Sequence, residues 1–489
     1  MNLSRRAFLS SCSAAGLSSL RAAGETKPNV VFILADDLGW RDTSLYGSKF
    51  LRTPNIDALA RRGMMFTQAY AAAPLCSATR SSLMTGLYPA RTGITGASGH
   101  LPDESFEATP LPRSRPFQKA IGTNSASRLK LEYYTVAEAF KDAGYRTGHF
   151  GKWHLGREPY DPLHQGFDVD IPHWWGPSPP AYLAPWKLEH LTGAPGEHIE
   201  ERMAKEASQF IRDNKDRPFF LNYWCFSVHG PWQAKPELIE KYRALAKPDN
   251  PQHNPVYAAM VESMDNAVGT LMGTLDETGL AKNTIVVFTS DNGGVDFADV
   301  GGVPVTSNAP LRAGKATLYE GGIREPALVI WPGKIKAGSK TNAVISSVDY
   351  YPTLLEMAGV SPKQKVEFDG RSFVAALEGK PYDRGPLFWH FPHYTPATGN
   401  TPCTAIRDGN WKLIRFWSEG HGQDDRLELY NLSTDMSETN EVSAANPAKV
   451  RELAATMEQL LTRTKAVRPR RNPNYDPKAK ADPPPKREH

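Results

Sequence analysis

Two acidic clusters each follow a strand-like apolar run. Asp36-Asp37 comes directly after Asn29–Leu34, and Asp291-Asn292-Gly293-Gly294 comes just after Thr284–Phe288. In open α/β sheets ligands bind beyond the carboxyl ends of strands. Adjacent carboxylates there repel each other unless a cation neutralises them. Asp36, Asp37, Asp291 and the Asn292 amide oxygen are all hard ligands, which suits Ca²⁺ or Mg²⁺ and not a thiophilic metal. Taken singly, each cluster also reads as a turn. Their shared place on two strand ends is what points to a metal.

A second group carries a nucleophile and cations. In Pro74-Leu75-Cys76-Ser77-Ala78-Thr79-Arg80, with Leu83-Met84 and Gly86 beyond, a short helix is expected to start near Cys76. A thiol at a helix N-terminus meets backbone N–H groups and the positive end of the dipole. Arg80, about one turn on, reaches the same point. On spacing alone the pattern equally describes a buried structural cysteine. Lys152 and His154 stand two apart on an extended segment and so point to one side. His229 follows a strand end, and Lys315 closes Leu311-Arg312-Ala313-Gly314-Lys315. Each alone reads as structural or solvated. One oxygen-ligated metal, two or three cations and two histidines together suit a compact tetrahedral dianion or its ester.

These residues carry a resemblance to the type I sulfatases of the alkaline-phosphatase superfamily, running from about Pro28 to Ser443. The first family signature is matched by Cys76, Arg80 and Thr85-Gly86, with Ala78 where Pro is usual. The second is matched by Gly144-Tyr145-Arg146-Thr147 and Gly151-Lys152-Trp153-His154, with Phe150 where a smaller residue is commoner. The resemblance implies that Cys76 is oxidised to formylglycine. It implies Ca²⁺ rather than Mg²⁺ on Asp36, Asp37, Asp291 and Asn292, with the modified Cys76 also touching the ion. Arg80, Lys152 and Lys315 would hold formylglycine and sulfate oxygens, His154 would contact the formylglycine hydroxyl, and His229 would face the leaving group as general acid. A hydrated aldehyde has two hydroxyls on one carbon: one attacks sulfur, and deprotonating the other expels sulfate. Ala78 favours maturation by the radical type of sulfatase-maturating enzyme.

The implied substrate is a sulfated polysaccharide or oligosaccharide. Residues 171–190 form an aromatic, Pro-rich insertion, and Phe388–Tyr394 is a similar stretch. Trp174 and Trp175 could stack on a sugar ring, or could pin a surface loop. His173, Trp174, Trp175 and Arg312 are the candidate substrate-binding residues. Two other readings stay open: a phosphodiesterase or phosphonate monoester hydrolase of the same superfamily, and a non-catalytic binder of sulfated glycans if Cys76 is unmodified.

The elements that must position these residues alternate. Asn29–Leu34, Phe219–Val228, Thr284–Phe288 and Ala327–Trp331 read as buried strands. Thr53-Pro54 opens a helix closed by Gly63, Thr135 to Glu138 is a capping box, and Val256 to Leu275 carries an amphipathic stripe. This predicts an α/β fold with a large, mostly parallel sheet sandwiched by helices, alkaline-phosphatase-like. After about residue 380 the pattern changes: a hairpin around Asp408-Gly409, a strand at Leu427–Tyr430 and a helix stripe from Val450 to Leu461 predict a smaller C-terminal α+β subdomain containing an antiparallel sheet. The expected division is an export signal over residues 1–24, a catalytic domain over 25–379, the subdomain over 380–464 and a basic, Pro-rich disordered tail over 465–489.

Composition sets the outer bounds. At 489 residues, 40% hydrophobic and 22% charged, the chain can bury a large core, which excludes disorder over most of its length. No apolar run approaches the roughly 20 residues that span a bilayer. The net charge of +4 is uneven: residues 1–24 carry +3 and residues 465–489 carry +5, leaving −4 between. A nucleic-acid partner therefore has no central basic patch to meet. Arg5-Arg6 before a modest apolar stretch and Ala22-Ala23 resembles a twin-arginine export signal, which implies a bacterial protein in the periplasm or outside the cell. The same leader also offers a weak lipoprotein box at Leu9–Cys12, less favoured than simple export. Cys12 leaves with the signal, and the remaining Cys76, Cys225 and Cys403 are an odd number for disulfides, which sets one cysteine aside for chemistry.

Overall fold

Asn29–Ala35 is buried at every position and forms the central strand of an eight-stranded sheet. A computed structural model describes residues 27–480, so the expected export signal lies outside the described residues. In chain order the strands are β1 (Asn29–Ala35), β2 (Met64–Tyr70), β3 (Arg146–Gly151), β4 (Val169–Ile171), β5 (Phe219–Trp224), β6 (Thr284–Ser290), β7 (Arg324–Ile330) and β8 (Ser339–Ser346). They lie in the order β8-β2-β7-β6-β1-β5-β3-β4. All pairings are parallel except those of β7, which runs antiparallel to both β2 and β6.

The alternation along β1 shows why helices cover both faces. Val31 and Ile33 pack with residues of the helices Pro54–Arg62, Ile199–Asp213 and Pro255–Glu277. Val30, Phe32 and Leu34 pack on the other side with residues of Cys76–Thr85, Val136–Asp142 and Tyr350–Ala358. A strand covered on both faces must be apolar on both, hence the unbroken run. The capping box forms as read: Thr135 accepts from the Glu138 N–H, and Glu138 accepts from the Thr135 N–H.

A four-stranded antiparallel sheet follows, built from Leu387–Phe391, Cys403–Asp408, Trp411–Phe416 and Arg426–Asn431 in that order. One face packs on the helix Pro447–Arg463 through Leu453, Met457, Leu460 and Leu461. The other packs on Tyr70, Ala316, Leu318 and Ile323 of the larger sheet domain. No helix among the described residues is long and apolar enough to cross a membrane.

Two expectations change. The strand expected over Phe219–Val228 stops at Trp224, because the chain turns there to bring its backbone against Asp36. The stretch from Lys465, expected as a solvated tail, is docked by its backbone as far as Asp476, whose N–H reaches the Pro116 carbonyl, although most of its side chains beyond Arg470 are exposed. Arg470–Arg471 pairs with Ala120–Ile121, and Asn472, 1% exposed, donates to the carbonyls of Arg115 and Gln118. Composition weighs the charges of such a segment, whereas its backbone pairs along Lys119–Ile121 and one amide side chain finds the carbonyls of Arg115 and Gln118.

Candidate active and metal site

The carboxyl ends of the parallel strands converge. Ala35 pairs in register with Ser290, and Gly151 with Trp224, so the residues that follow each strand arrive at one level. Asp36 and Asp37 follow β1, Asp291 and Asn292 follow β6, Lys152 and His154 follow β3, and His229 follows β5. Lys315 precedes β7, which runs the other way, so its segment reaches the same edge from the opposite direction. Cys76 opens its helix a few residues after β2. Asp37 and His154 hold left-handed φ angles of 62° and 61°. Such backbone is costly for non-glycine residues and collects at functional sites.

Asp36, Asp37 and Asp291 are fully buried, and ligand atoms from all three lie within 4.8 Å of one another. Cations surround them. Arg80 sends Nε (2.9 Å) and Nη2 (2.7 Å) to Asp291 Oδ2, while its Nη1 donates to the Lys152 carbonyl at 2.6 Å. Lys152 Nζ lies 2.6 Å from Asp36 Oδ2, and Lys315 Nζ lies 2.6 Å from Asp37 Oδ1. Burial, reinforced by the neighbouring Asp291, pushes the Asp36 carboxyl well up. Burial acts on Asp37 in the same sense and is the largest single influence, but Lys315, His229 and Lys152 together outweigh it and hold that carboxyl below its ordinary range.

Cys76 is buried with its Sγ 3.2 Å from His154 Nδ1, and His154 Nε2 lies 2.8 Å from His100 Nδ1. Burial raises the thiol above its ordinary range, so an unmodified Cys76 is a poor nucleophile. Cys225 and Cys403 are also buried free thiols. The helix of Cys76 is fixed against the His154 segment by Ser77, whose hydroxyl donates to the His154 carbonyl. Gly99 crosses close by: a Cβ there would sit 1.8 Å from the His154 carbonyl oxygen, so no larger residue can lead into His100. His229 lies with Nε2 3.7 Å from Asp37 Oδ2 and donates from Nδ1 to the Gly230 carbonyl at 2.6 Å.

Asp36, Asp37, Asp291, Asn292, Cys76, Arg80, Lys152, His154, His229 and Lys315 are thus assembled in one place. His173, Trp174 and Trp175 are not brought into that group: they line a separate small pocket with Trp153, Gly156 and Arg157, joined to the site through Trp153, which stands between Lys152 and His154 in the chain. His173 Nδ1 is 2.8 Å from the buried Asp170 carboxylate, and Trp175 is 40% exposed with Arg157 over its ring. Arg312 is committed elsewhere: it stacks on Tyr319 and donates to the Tyr430 hydroxyl and the Glu438 carbonyl, bracing the Lys315 segment against the C-terminal sheet. His100 escaped the sequence reading because it lies in no motif. Only its lone position after Gly99 marks it.

Comparison with known proteins gives a consistent result. Residues 28–360 match the family model described as Sulfatase, and residues 313–467 match the model described as N-sulphoglucosamine sulphohydrolase, C-terminal. A protein named "Sulfatase" from Formosa agariphila is 32% identical, over 88% of this chain and 88% of its own length. The N-acetylgalactosamine-6-sulfatase of Canis lupus familiaris is 33% identical over 83% of this chain and 74% of its own. Among solved structures, Ps i-CgsB in complex with k-i-k-neocarrahexaose superposes with a TM-score of 0.71 at 29% identity, covering 89% of this chain and 93% of that one.

Proposed function

The chain belongs to the sulfatase family and is a sulfuric ester hydrolase, and from that premise we propose that it releases sulfate from a sulfated poly- or oligosaccharide, using a formylglycine made from Cys76 and one Ca²⁺ ion. The observation that carries this reading is the convergence of Cys76, two imidazoles, two lysines and one arginine on three buried carboxylates. The donor set fits a hard cation. Asp36 Oδ1 and Asn292 Oδ1 are buried without any hydrogen-bond partner, an expense that a metal ion would remove. Asp36, Asp37, Asp291 and Asn292 would hold it.

The Cys76 sulfur occupies the place of a formylglycine hydroxyl oxygen. When present, the hydrated aldehyde supplies two hydroxyls on one carbon, and the divalent cation favours the ionised form of one of them. This chain's own residues then do the rest. His154 Nδ1, within hydrogen-bond reach of position 76, accepts a proton from the group there. Arg80 orients Asp291 and carries positive charge into the floor of the site. With a cation on the carboxylates, Lys152 and Lys315 are left to face the sulfuryl oxygens, where negative charge spreads in the transition state. His229, with Nδ1–H held by the Gly230 carbonyl, would deliver a proton to the departing sugar oxygen from Nε2 as the doubly protonated imidazolium, and is left neutral by the step.

Names among the relatives support a carbohydrate: one is an N-acetylgalactosamine-6-sulfatase, and one neighbouring structure holds a carrahexaose. Trp174, Trp175 and His173, beside the Trp153 segment, offer a face for a sugar ring. Arg5-Arg6 supports export by the twin-arginine route to the periplasm or beyond, and Ala78 supports maturation by a radical-type enzyme before export. Mass spectrometry of the peptide spanning Cys76, purified from the native host, tests the mechanism. An aldehyde at position 76 is expected, and an unmodified thiol throughout would remove the proposed chemistry. Sulfate release from a panel of defined sulfated mono- and oligosaccharides tests the substrate class.

A further inference from the structure

His229 sits on a turn that has no regular secondary structure of its own. The chain leaves β5 at Trp224 and is drawn against β1 by backbone bonds: Cys225 N–H to the Leu34 carbonyl, Val228 N–H to the Asp36 carbonyl, and Asp36 N–H to the Ser227 carbonyl. The bonds to β1 stop one residue short of His229, whose own N–H closes the turn on the Phe226 carbonyl at 3.2 Å. Two buried side chains from distant segments complete the hold. Glu200, in the first turn of the Ile199–Asp213 helix, accepts with Oε1 from the N–H groups of Phe226 and Ser227, each at 2.8 Å. Its Oε2 accepts from the Tyr223 hydroxyl at 3.1 Å. Tyr182, fully buried within the aromatic insertion, directs its hydroxyl between the carbonyls of Phe226 (2.6 Å) and His229 (2.8 Å).

Without those contacts the turn would have two unpaired N–H groups, and the His229 carbonyl would lose its hydroxyl donor. The His229 peptide could then rotate, and Nε2 with it. The ring's own bond, Nδ1–H to the Gly230 carbonyl, lies within the same turn and cannot fix the turn's direction. We propose that Tyr182 and Glu200 are positioning residues for His229, locking the Phe226–His229 turn so that its imidazole meets the leaving-group oxygen. The inference rests on the reading of His229 as general acid. It also gives the insertion a second task, since the segment that carries Trp174 and Trp175 also carries the hydroxyl that holds His229.

A general acid matters most for a poor leaving group, so the test is a series of substituted phenyl sulfates, from 4-nitrophenyl to 4-methoxyphenyl, on the matured enzyme. His229→Ala is expected to steepen the fall of kcat/KM with rising leaving-phenol pKa, costing roughly 100-fold at the poor end and little at 4-nitrophenyl sulfate. Tyr182→Phe and Glu200→Ala are expected to steepen it in the same way by about tenfold, and Glu200→Gln, whose amide oxygen still accepts from both N–H groups, is expected to restore the slope. Adding Tyr182→Phe to His229→Ala is expected to change nothing more, because the hydroxyl acts through a ring no longer there. A uniform loss across the series in Tyr182→Phe, with the slope unchanged, would overturn the inference and leave His229 its role. An unchanged slope in His229→Ala alone would overturn the general-acid reading itself. Tyr182→Phe is nearly isosteric and carries the test should Glu200→Ala fail to fold.

Discussion

His154 Nδ1 lies 3.2 Å from Cys76 Sγ, and the same ring is held from behind by His100 at 2.8 Å. The contact puts a neutral imidazole against the reacting position: burial, then the charge of Lys152, keeps the His154 pKa well below its usual value. A ring that starts neutral can accept a proton. His154→Ala is expected to lower kcat by about 10²–10⁴-fold with little change in KM. His100→Ala should cost less, since it frees the ring without removing it. Steady-state kinetics on 4-nitrophenyl sulfate, with equal aldehyde content confirmed for each variant, measure both; a KM effect alone would assign His154 to binding.

Arg80 makes its contacts with a planar fork, two nitrogens on Asp291 and one on the Lys152 carbonyl. A lysine keeps the charge but cannot reach these acceptors together. Arg80→Lys should therefore lower kcat/KM by about 10²-fold, the scale of losing one preorganised donor, and should lower stability as well because Asp291 loses the Nε hydrogen bond and the close Nη2 charge contact inside the core. Kinetics and urea unfolding on the same preparation read the two effects. Activity within a factor of two of the parent would show that charge alone suffices.

Removal of the divalent cation should be visible without any substrate. Asp36, Asp37 and Asp291 are buried together, and two oxygens of the set lack hydrogen-bond partners. An ion that binds only the folded chain adds about 2.7 kcal/mol at 100 times its dissociation constant. Treatment with EDTA should lower Tm and abolish activity, and Ca²⁺ should restore both, more fully than Mg²⁺, whose strict octahedral demand suits this crowded carboxylate set less well. Metal analysis of the enzyme as purified checks the occupancy directly. A Tm indifferent to both EDTA and Ca²⁺ would count against a structural cation here.

The parts of this site that sequence could show are those that sit at a fixed step from a regular element. Asp36 and Asp37 follow an unbroken buried strand, and Asp291 follows another, so the strand pattern alone placed them at one edge. Lys315 was harder, because its edge depends on β7 running against its neighbours, and a buried apolar run has no direction. His100, Tyr182 and Glu200 touch the site only through the tertiary fold: each lies 20 or more positions from the residue it holds, in a segment without a motif. The docked segment from Lys465 was hidden for the opposite reason. Its charges favour solvent, and its ordering depends on an edge provided some 350 residues earlier.

Acid should weaken the fold through histidines that the reaction does not use. His390 is buried in the C-terminal sheet, with Nδ1 2.8 Å from the Thr404 hydroxyl and Nε2 2.9 Å from the Val467 carbonyl. That pairing suits the neutral ring, with Nε2–H donating and Nδ1 accepting. Burial lowers its pKa from 6.5 to about 4. Between those values the unfolded chain takes up a proton that the folded chain refuses, so stability is whole above pH 6.5 and is lost as pH falls toward 4, by about 1.4 kcal/mol per pH unit. His390→Gln removes this dependence while keeping a hydrogen-bonding side chain. The stability advantage of the parent over this variant, measured by urea unfolding, should therefore shrink by about 2 kcal/mol between pH 7 and pH 5. His149 and His198, each lowered by burial to about 3, act in the same direction and are common to both proteins, so they cancel in the comparison. An equal gap at the two pH values would mean that His390 is charged in the fold, and that its contact with Val467 does not hold the end of the chain as a neutral donor.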